Sequence, residues 1–294
     1  MSRRVRFSPF RAGVLGAFLL AAPHLGHSAE LPFAAHTITT AANGAFSVFA
    51  VDVDGDGDLD VLSASFVDDK IAWYENKGSE TFTPRTITTA ADGAVSVFAA
   101  DVDGDGDTDV LSASSFDDKI AWYENDGGEN FTTHNITTAA DRAYSVFAAD
   151  MDGDGDTDVL SASRIDDKVA WYENDGSENF TLRTITTAAD NAASVFAVDV
   201  DGDGDTDVLS ASIIDDKIAW YENDGSENFT THTITTAADN SASVFAADVD
   251  GDGDTDVLSA SYRDDKIAWY ENNMPLFCDG FESGDLSAWS GSVP

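Results

Sequence analysis

Hydrophobic and polar residues alternate along most of this chain in short runs, each bounded by Gly, Asp or Asn. "SVFAADV" is dense in β-formers, "DVLSAS" and "KIAWYEN" alternate apolar with polar, and "FTTHTITT" is a Thr-rich version of the same period. The segments between them, "DGDGDT", "NDGSEN" and "AADNAAS", have turn composition. No stretch shows the helical period, which excludes a helical solenoid and predicts an all-β chain.

These four runs recur in fixed order. Asp52, Asp101, Asp150, Asp199 and Asp248 are 49 residues apart, and Trp73, Trp122, Trp171, Trp220 and Trp269 keep the same spacing without insertion or deletion. Four short strands in a unit of about 50 residues is the blade of a β-propeller. The N-terminal "FAAHTITT" from Phe33 matches the fourth run at Phe229, while the last copy departs after "KIAWYEN" into "NMPLFCDGF". We therefore expect a five-bladed β-propeller of 49-residue four-stranded repeats over residues 30–275. It would be closed by the N-terminal strand pairing with Trp269–Tyr270, so that no edge stays open, and residues 276–294 would form a short C-terminal tail.

Composition adds compartment and charge. Arg3, Arg4, Arg6 and Arg11 precede the apolar "GVLGAFLLAA", so residues 1–29 read as a bacterial signal peptide and the protein as exported: secreted, periplasmic or on the cell surface. No other run is long and apolar enough to be transmembrane. The net charge of −40 disfavours nucleic acid as a partner. The lone Cys278 allows no disulfide framework, so an exported fold needs another stabiliser.

The acidic loops supply a candidate. In the second copy Asp101, Asp103, Asp105, Asp107 and Asp109 alternate with small residues. Glycines let such a loop curl, so that side chains at positions 1, 3, 5 and 9 and the backbone carbonyl at position 7 can surround a Ca²⁺, which takes about six to eight oxygens. Mg²⁺ fits less well because it demands stricter octahedral geometry. An EF-hand is excluded, because its twelfth position would be Ser112, in a strand rather than a bidentate Glu opening a helix.

The stretch "VFAADVDGDGDTDVLSAS" resembles the FG-GAP/VCBS repeat, the blade unit of integrin-α-like calcium-binding propellers. The resemblance implies one calcium ion per blade, about five in all, held by Asp52, Asp54, Asp56, Asp58 and Asp60 in the first copy and by Asp101, Asp103, Asp105, Asp107 and Asp109 in the second. The third and fourth sets are Asp150, Asp152, Asp154, Asp156, Asp158 and Asp199, Asp201, Asp203, Asp205, Asp207. Asp248, Asp250, Asp252, Asp254 and Asp256 complete the fifth. The literal Phe-Gly and Gly-Ala-Pro words are absent, and integrin propellers have seven blades, so integrin-type partner recognition does not carry over.

Near-identical copies make their differences readable. The residues after "SAS" (Phe66–Val67, Ser115–Phe116, Arg164–Ile165, Ile213–Ile214, Tyr262–Arg263) and those before "SVFA" (among them Gly44 and Phe46, Gly93 and Val95, Arg142 and Tyr144, Asn191 and Ala193) vary. Strand order puts both sets on the propeller face opposite the acidic loops, and variable loops on a rigid scaffold are the usual seat of binding. The invariant "DDK" reads as a turn with a local ion pair, and the Trp and Tyr of "WYEN" as inter-blade core. A sugar cleft between blades is the alternative for the latter.

These readings favour an exported calcium-binding module that adheres to glycans or a cell-surface protein through several equivalent sites. The alternatives are a propeller enzyme acting on polysaccharide and a purely structural surface protein. Catalysis needs differentiated acid and base groups, whereas here the acids are fivefold copies and His36, His134 and His232 occupy equivalent strand positions.

Overall fold

The computed structural model describes residues 34–78 and 81–273. The expected signal peptide, Phe33 and the tail with Cys278 lie outside them. The first blade contains β1 (Ala45–Val51), β2 (Asp60–Ser65), β3 (Lys70–Asn76) and β4 (Phe82–Thr88). The second contains β5 (Ala94–Ala100), β6 (Asp109–Ser114), β7 (Lys119–Asn125) and β8 (Phe131–Thr137). The third has β9 (Ala143–Ala149), β10 (Asp158–Ser163), β11 (Lys168–Asn174) and β12 (Phe180–Thr186). The fourth has β13 (Ala192–Val198), β14 (Asp207–Ser212), β15 (Lys217–Asn223) and β16 (Phe229–Thr235). The fifth has β17 (Ser241–Ala247), β18 (Asp256–Ser261) and β19 (Lys266–Tyr270). Every sheet is an antiparallel meander in chain order, and the five sheets make a five-bladed β-propeller.

Period-2 alternation decides which side chains face the neighbouring blade. Phe98, Leu111, Trp122 and His134 lie opposite one another across the second sheet. Leu111 and Trp122 are fully buried, and the first-strand phenylalanines form a continuous row, with Phe49, Phe98, Phe147, Phe196 and Phe245 in successive ring contact at 4.5–4.9 Å. The core is a series of inter-blade layers. Leu62, Ile71 and Trp73 of the first blade pack with Val97, Val110 and Tyr123 of the second, and later junctions repeat the pattern.

Polar ties repeat with the same period. The Ser47 hydroxyl accepts from the Val97 N–H of the next blade (3.4 Å), and the Asn125 side-chain amide donates to the Val53 carbonyl of the preceding acidic loop (3.0 Å). In "DDK", Asp68 pairs with Lys70 at 2.7 Å. Asp69 takes φ 55 and accepts the N–H of Gly93 in the next blade at 2.9 Å. That invariant word is therefore a blade-to-blade coupling.

Among the described residues the fifth sheet has three strands, and Ala34–Thr39 lie outside any strand; Phe33, where the expected closing strand begins, lies outside the described residues. At the two ends of the array, the first blade's Val48 and the fifth blade's Ile267 are 71% and 78% exposed.

Candidate functional site

Two constellations stand out, one on each face. On the first, each acidic loop curls around its own carboxylates. Asp101 accepts the N–H groups of Gly104 (2.8 Å) and Gly106 (3.0 Å), and Asp103 accepts that of Asp105 at 3.1 Å. Asp109 opens β6, is fully buried, and accepts the N–H of Val102 (3.0 Å) and of Asn125 (2.7 Å).

Positions 1, 3 and 9 converge: Asp52, Asp54 and Asp60 offer carboxylate oxygens within 4.8 Å of one another, as do Asp101, Asp103, Asp109 and Asp150, Asp152, Asp158. In the fourth blade Asp199, Asp201 and Asp203 form such a group, which brings in position 5. An all-carboxylate donor set of this kind suits a hard cation. Burial pushes the carboxyl of Asp109 up to about 6, that of Asp158 to about 7 and that of Asp207 to about 6, although backbone N–H groups pull each down. These desolvated carboxylates gain most from a neutralising cation.

Position 7 points elsewhere. The side chain of Asp156 lies over Gly176 in the following turn, where an added Cβ would overlap its carboxylate, and Gly176 has φ 69. Gly176→Ala is therefore expected to cost more than about 1 kcal/mol by denaturant melting, through both strain and contact.

The opposite face carries the second constellation. Variable residues from four blades surround one cavity of about 250 Å³: Phe46 and Phe66, then Val95 and Ser115, then Arg142, Tyr144 and Arg164, then Asn191. Phe46 reaches the third blade, meeting Tyr144 edge-on at 5.7 Å. The Arg164 guanidinium sits over the Tyr144 ring at 4.3 Å, and its Nε donates to the Asn191 side-chain oxygen at 2.7 Å. Arg142 lies 5.8 Å from the Phe116 ring centre.

Charge and position together mark these two residues out. Every described lysine pairs with a carboxylate, and so do Arg85 and Arg183. Of the described arginines, Arg142, Arg164 and Arg263 form no ion pair in a chain of −40 net charge, and the first two of these line the cavity. Arg142 also holds φ 60 at a position where the first two copies have glycine.

The sequence placed these variable positions on one face but did not show that they converge. The "WYEN" aromatics, in contrast, are core: Trp73, Trp122 and Trp171 are buried, with Phe131 and Phe180 edge-on against the first two. His134 and His232 stack on Trp122 and Trp220 at 4.5 Å and pair with Glu124 and Glu222. Nothing in the strand pattern distinguishes that role from solvent exposure.

Residues 52–112, 101–161, 150–210 and 199–259 each match the FG-GAP-like repeat. The chain belongs to the FG-GAP-like repeat family. Comparison with curated proteins gave no match. Among solved structures, this FG-GAP-like propeller is similar to an Agrocybe aegerita lectin described as specifically recognising non-reducing terminal N-acetylglucosamine. The two are 19% identical with TM-score 0.53, over 72% of this chain and 60% of the lectin's length. A protein of unknown function from Desulfotomaculum acetoxidans is 13% identical with TM-score 0.52, over 81% of this chain and 75% of its own. An inactive virginiamycin B lyase from Staphylococcus aureus is 15% identical with TM-score 0.50, over 80% and 71% respectively. At these identities the likeness is one of fold.

Proposed function

We propose that the FG-GAP-like propeller is an exported, calcium-stabilised binding module whose variable face takes carbohydrate, with acidic sugars as the preferred class. The carrying observation is the cavity lined by Phe46, Tyr144, Arg142 and Arg164. Aromatic faces stack on the apolar side of a sugar ring, and a guanidinium offers forked donors to hydroxyl or carboxylate oxygens. Two guanidiniums without carboxylate partners suit an anionic ligand, which the acidic remainder of the chain would otherwise repel. The fold shared with a lectin is consistent with this reading. The cavity presents aromatic, amide, hydroxyl and guanidinium groups rather than a paired acid and base, which favours binding over catalysis. On this reading one convergent site takes the place of the several equivalent sites expected from the repeats.

A glycan array in millimolar Ca²⁺ tests it, with Arg164→Ala expected to weaken acidic-glycan binding at least tenfold. Arg142→Gly gives a sharper test. Relieving a positive φ is expected to stabilise the fold by about 1 kcal/mol while weakening binding. Retention of full binding by both variants sinks the assignment.

A further inference from the structure

The four internal junctions are copies of one interface, and each terminal blade holds one half of it uncovered. Val97, Val146, Val195 and Val244 are each 4% exposed against the preceding blade, while their first-blade counterpart Val48 stands open. On the other side Ile71, Ile120 and Ile218 are fully buried under the following blade, while Ile267 is open and Trp269 is 44% exposed.

The polar ties are split in the same way. Internal junctions join a first-strand serine hydroxyl to the next blade's valine N–H (Ser47 to Val97, Ser194 to Val244). They also join a loop carbonyl to the next blade's asparagine amide (Val53 to Asn125, Met151 to Asn223). By register, the unused halves are Ser243 and Val249 on the fifth blade and Val48 and Asn76 on the first.

We propose that the open face of the fifth blade takes the open face of the first blade of a second copy, in a head-to-tail junction that repeats the internal one. The occupant follows from this continuity: the surface that covers Trp73, Trp122 and Trp171 inside the chain is present a further time, uncovered, on the first blade. Because the two halves lie on different faces of one chain, the contact is heterologous and adds copies end to end until it closes on itself.

Among the described residues the fifth blade has three strands. A cavity of about 410 Å³ is lined by Trp220, Ile234, Val257 and Tyr270, the counterparts of Trp171, Ile185, Val208 and Tyr221, where Phe229 packs onto the buried cluster one blade earlier.

Light scattering after gel filtration of the full chain in Ca²⁺ provides the test. Wild type is expected at integer multiples of the single-chain mass, rising with concentration. Added NaCl should strengthen association, because it screens repulsion between acidic copies. Val48→Glu and Ile267→Glu, both at exposed positions, should each remain monomeric with unchanged circular dichroism. Mixed together, the two variants should form a one-to-one dimer that grows no further, since each retains the half that the other lacks. A wild-type monomer at every concentration overturns the proposal, and so does a mixture that stays monomeric.

Discussion

Removing divalent cations from the purified protein is expected to lower its melting temperature by tens of degrees, or to leave it unfolded at room temperature. The acidic loops hold Asp60, Asp109, Asp158, Asp207 and Asp256 fully buried, and in the first three blades the first two of these groups and Asp158 sit beside two further carboxylates. A cation that binds only the folded chain stabilises it by about 2.7 kcal/mol per site at roughly a hundredfold excess over its dissociation constant. Five such sites would contribute about 13 kcal/mol, comparable to the roughly 5–15 kcal/mol stability of a whole domain. The loops also carry the structural ties, since Asn125 and Asn174 bond the backbone of the preceding loop. Loosening a loop therefore loosens a junction. Differential scanning calorimetry with EGTA, then with Ca²⁺ restored, measures the effect. An identical melt in both would eliminate calcium as the stabiliser.

A single-site version separates the cation from the hydrogen bonds. Asp158→Ala leaves the N–H groups of Met151 and Asn174 without their acceptor, which alone costs about 1–3 kcal/mol for each buried group. Asp158→Asn keeps one acceptor oxygen but removes the charge. A calcium site predicts that Asn recovers only part of the loss, and that its remaining deficit shrinks in EGTA to the cost of the one backbone N–H that the amide can no longer accept.

How far the sequence determines this picture differs between features. Strand positions and blade number follow from local chemistry: "DVLSAS" and "KIAWYEN" alternate at the strand period, and the turns between them are Gly- and Asp-rich. Convergence of positions 1, 3 and 9 is likewise local, because the loop closes through its own hydrogen bonds. Ring closure is not local. It is the sum of small rotations at each junction, set by how Trp73 and its copies seat against the next blade, and identical repeats carry no mark of where that sum ends. The cavity at Arg142 and Arg164 was half legible. The variable positions were visible, but the approach of Phe46 to Tyr144 across two blades depends on the same global curvature. The "WYEN" tryptophans were legible as inter-blade core rather than as the alternative sugar clefts, because aromatics in an alternating strand are interior where a neighbouring blade covers them, as at Trp73, Trp122 and Trp171.

The same word in two settings gives the second large effect. Trp171 and Trp269 lie in identical "AWYEN" contexts, yet Trp171 is 1% exposed and Trp269 is 44% exposed. Trp171→Ala opens a cavity in the layer formed with Val208 and Tyr221 and is expected to cost about 3–5 kcal/mol. At about 2–4 °C per kcal/mol for a domain of this size, the melt should fall by roughly 6–20 °C. Trp269→Ala in dilute protein removes a ring already half in water, with no following blade to leave a void, and should cost about 1 kcal/mol or less. The five residues Ala-Trp-Tyr-Glu-Asn are the same at both sites, so the difference between the two melts reports what a covering blade, together with the fourth strand that pairs with Trp171, contributes. Equal losses in dilute solution would mean that Trp269 is covered within a single chain, and the terminal blades would then have to meet.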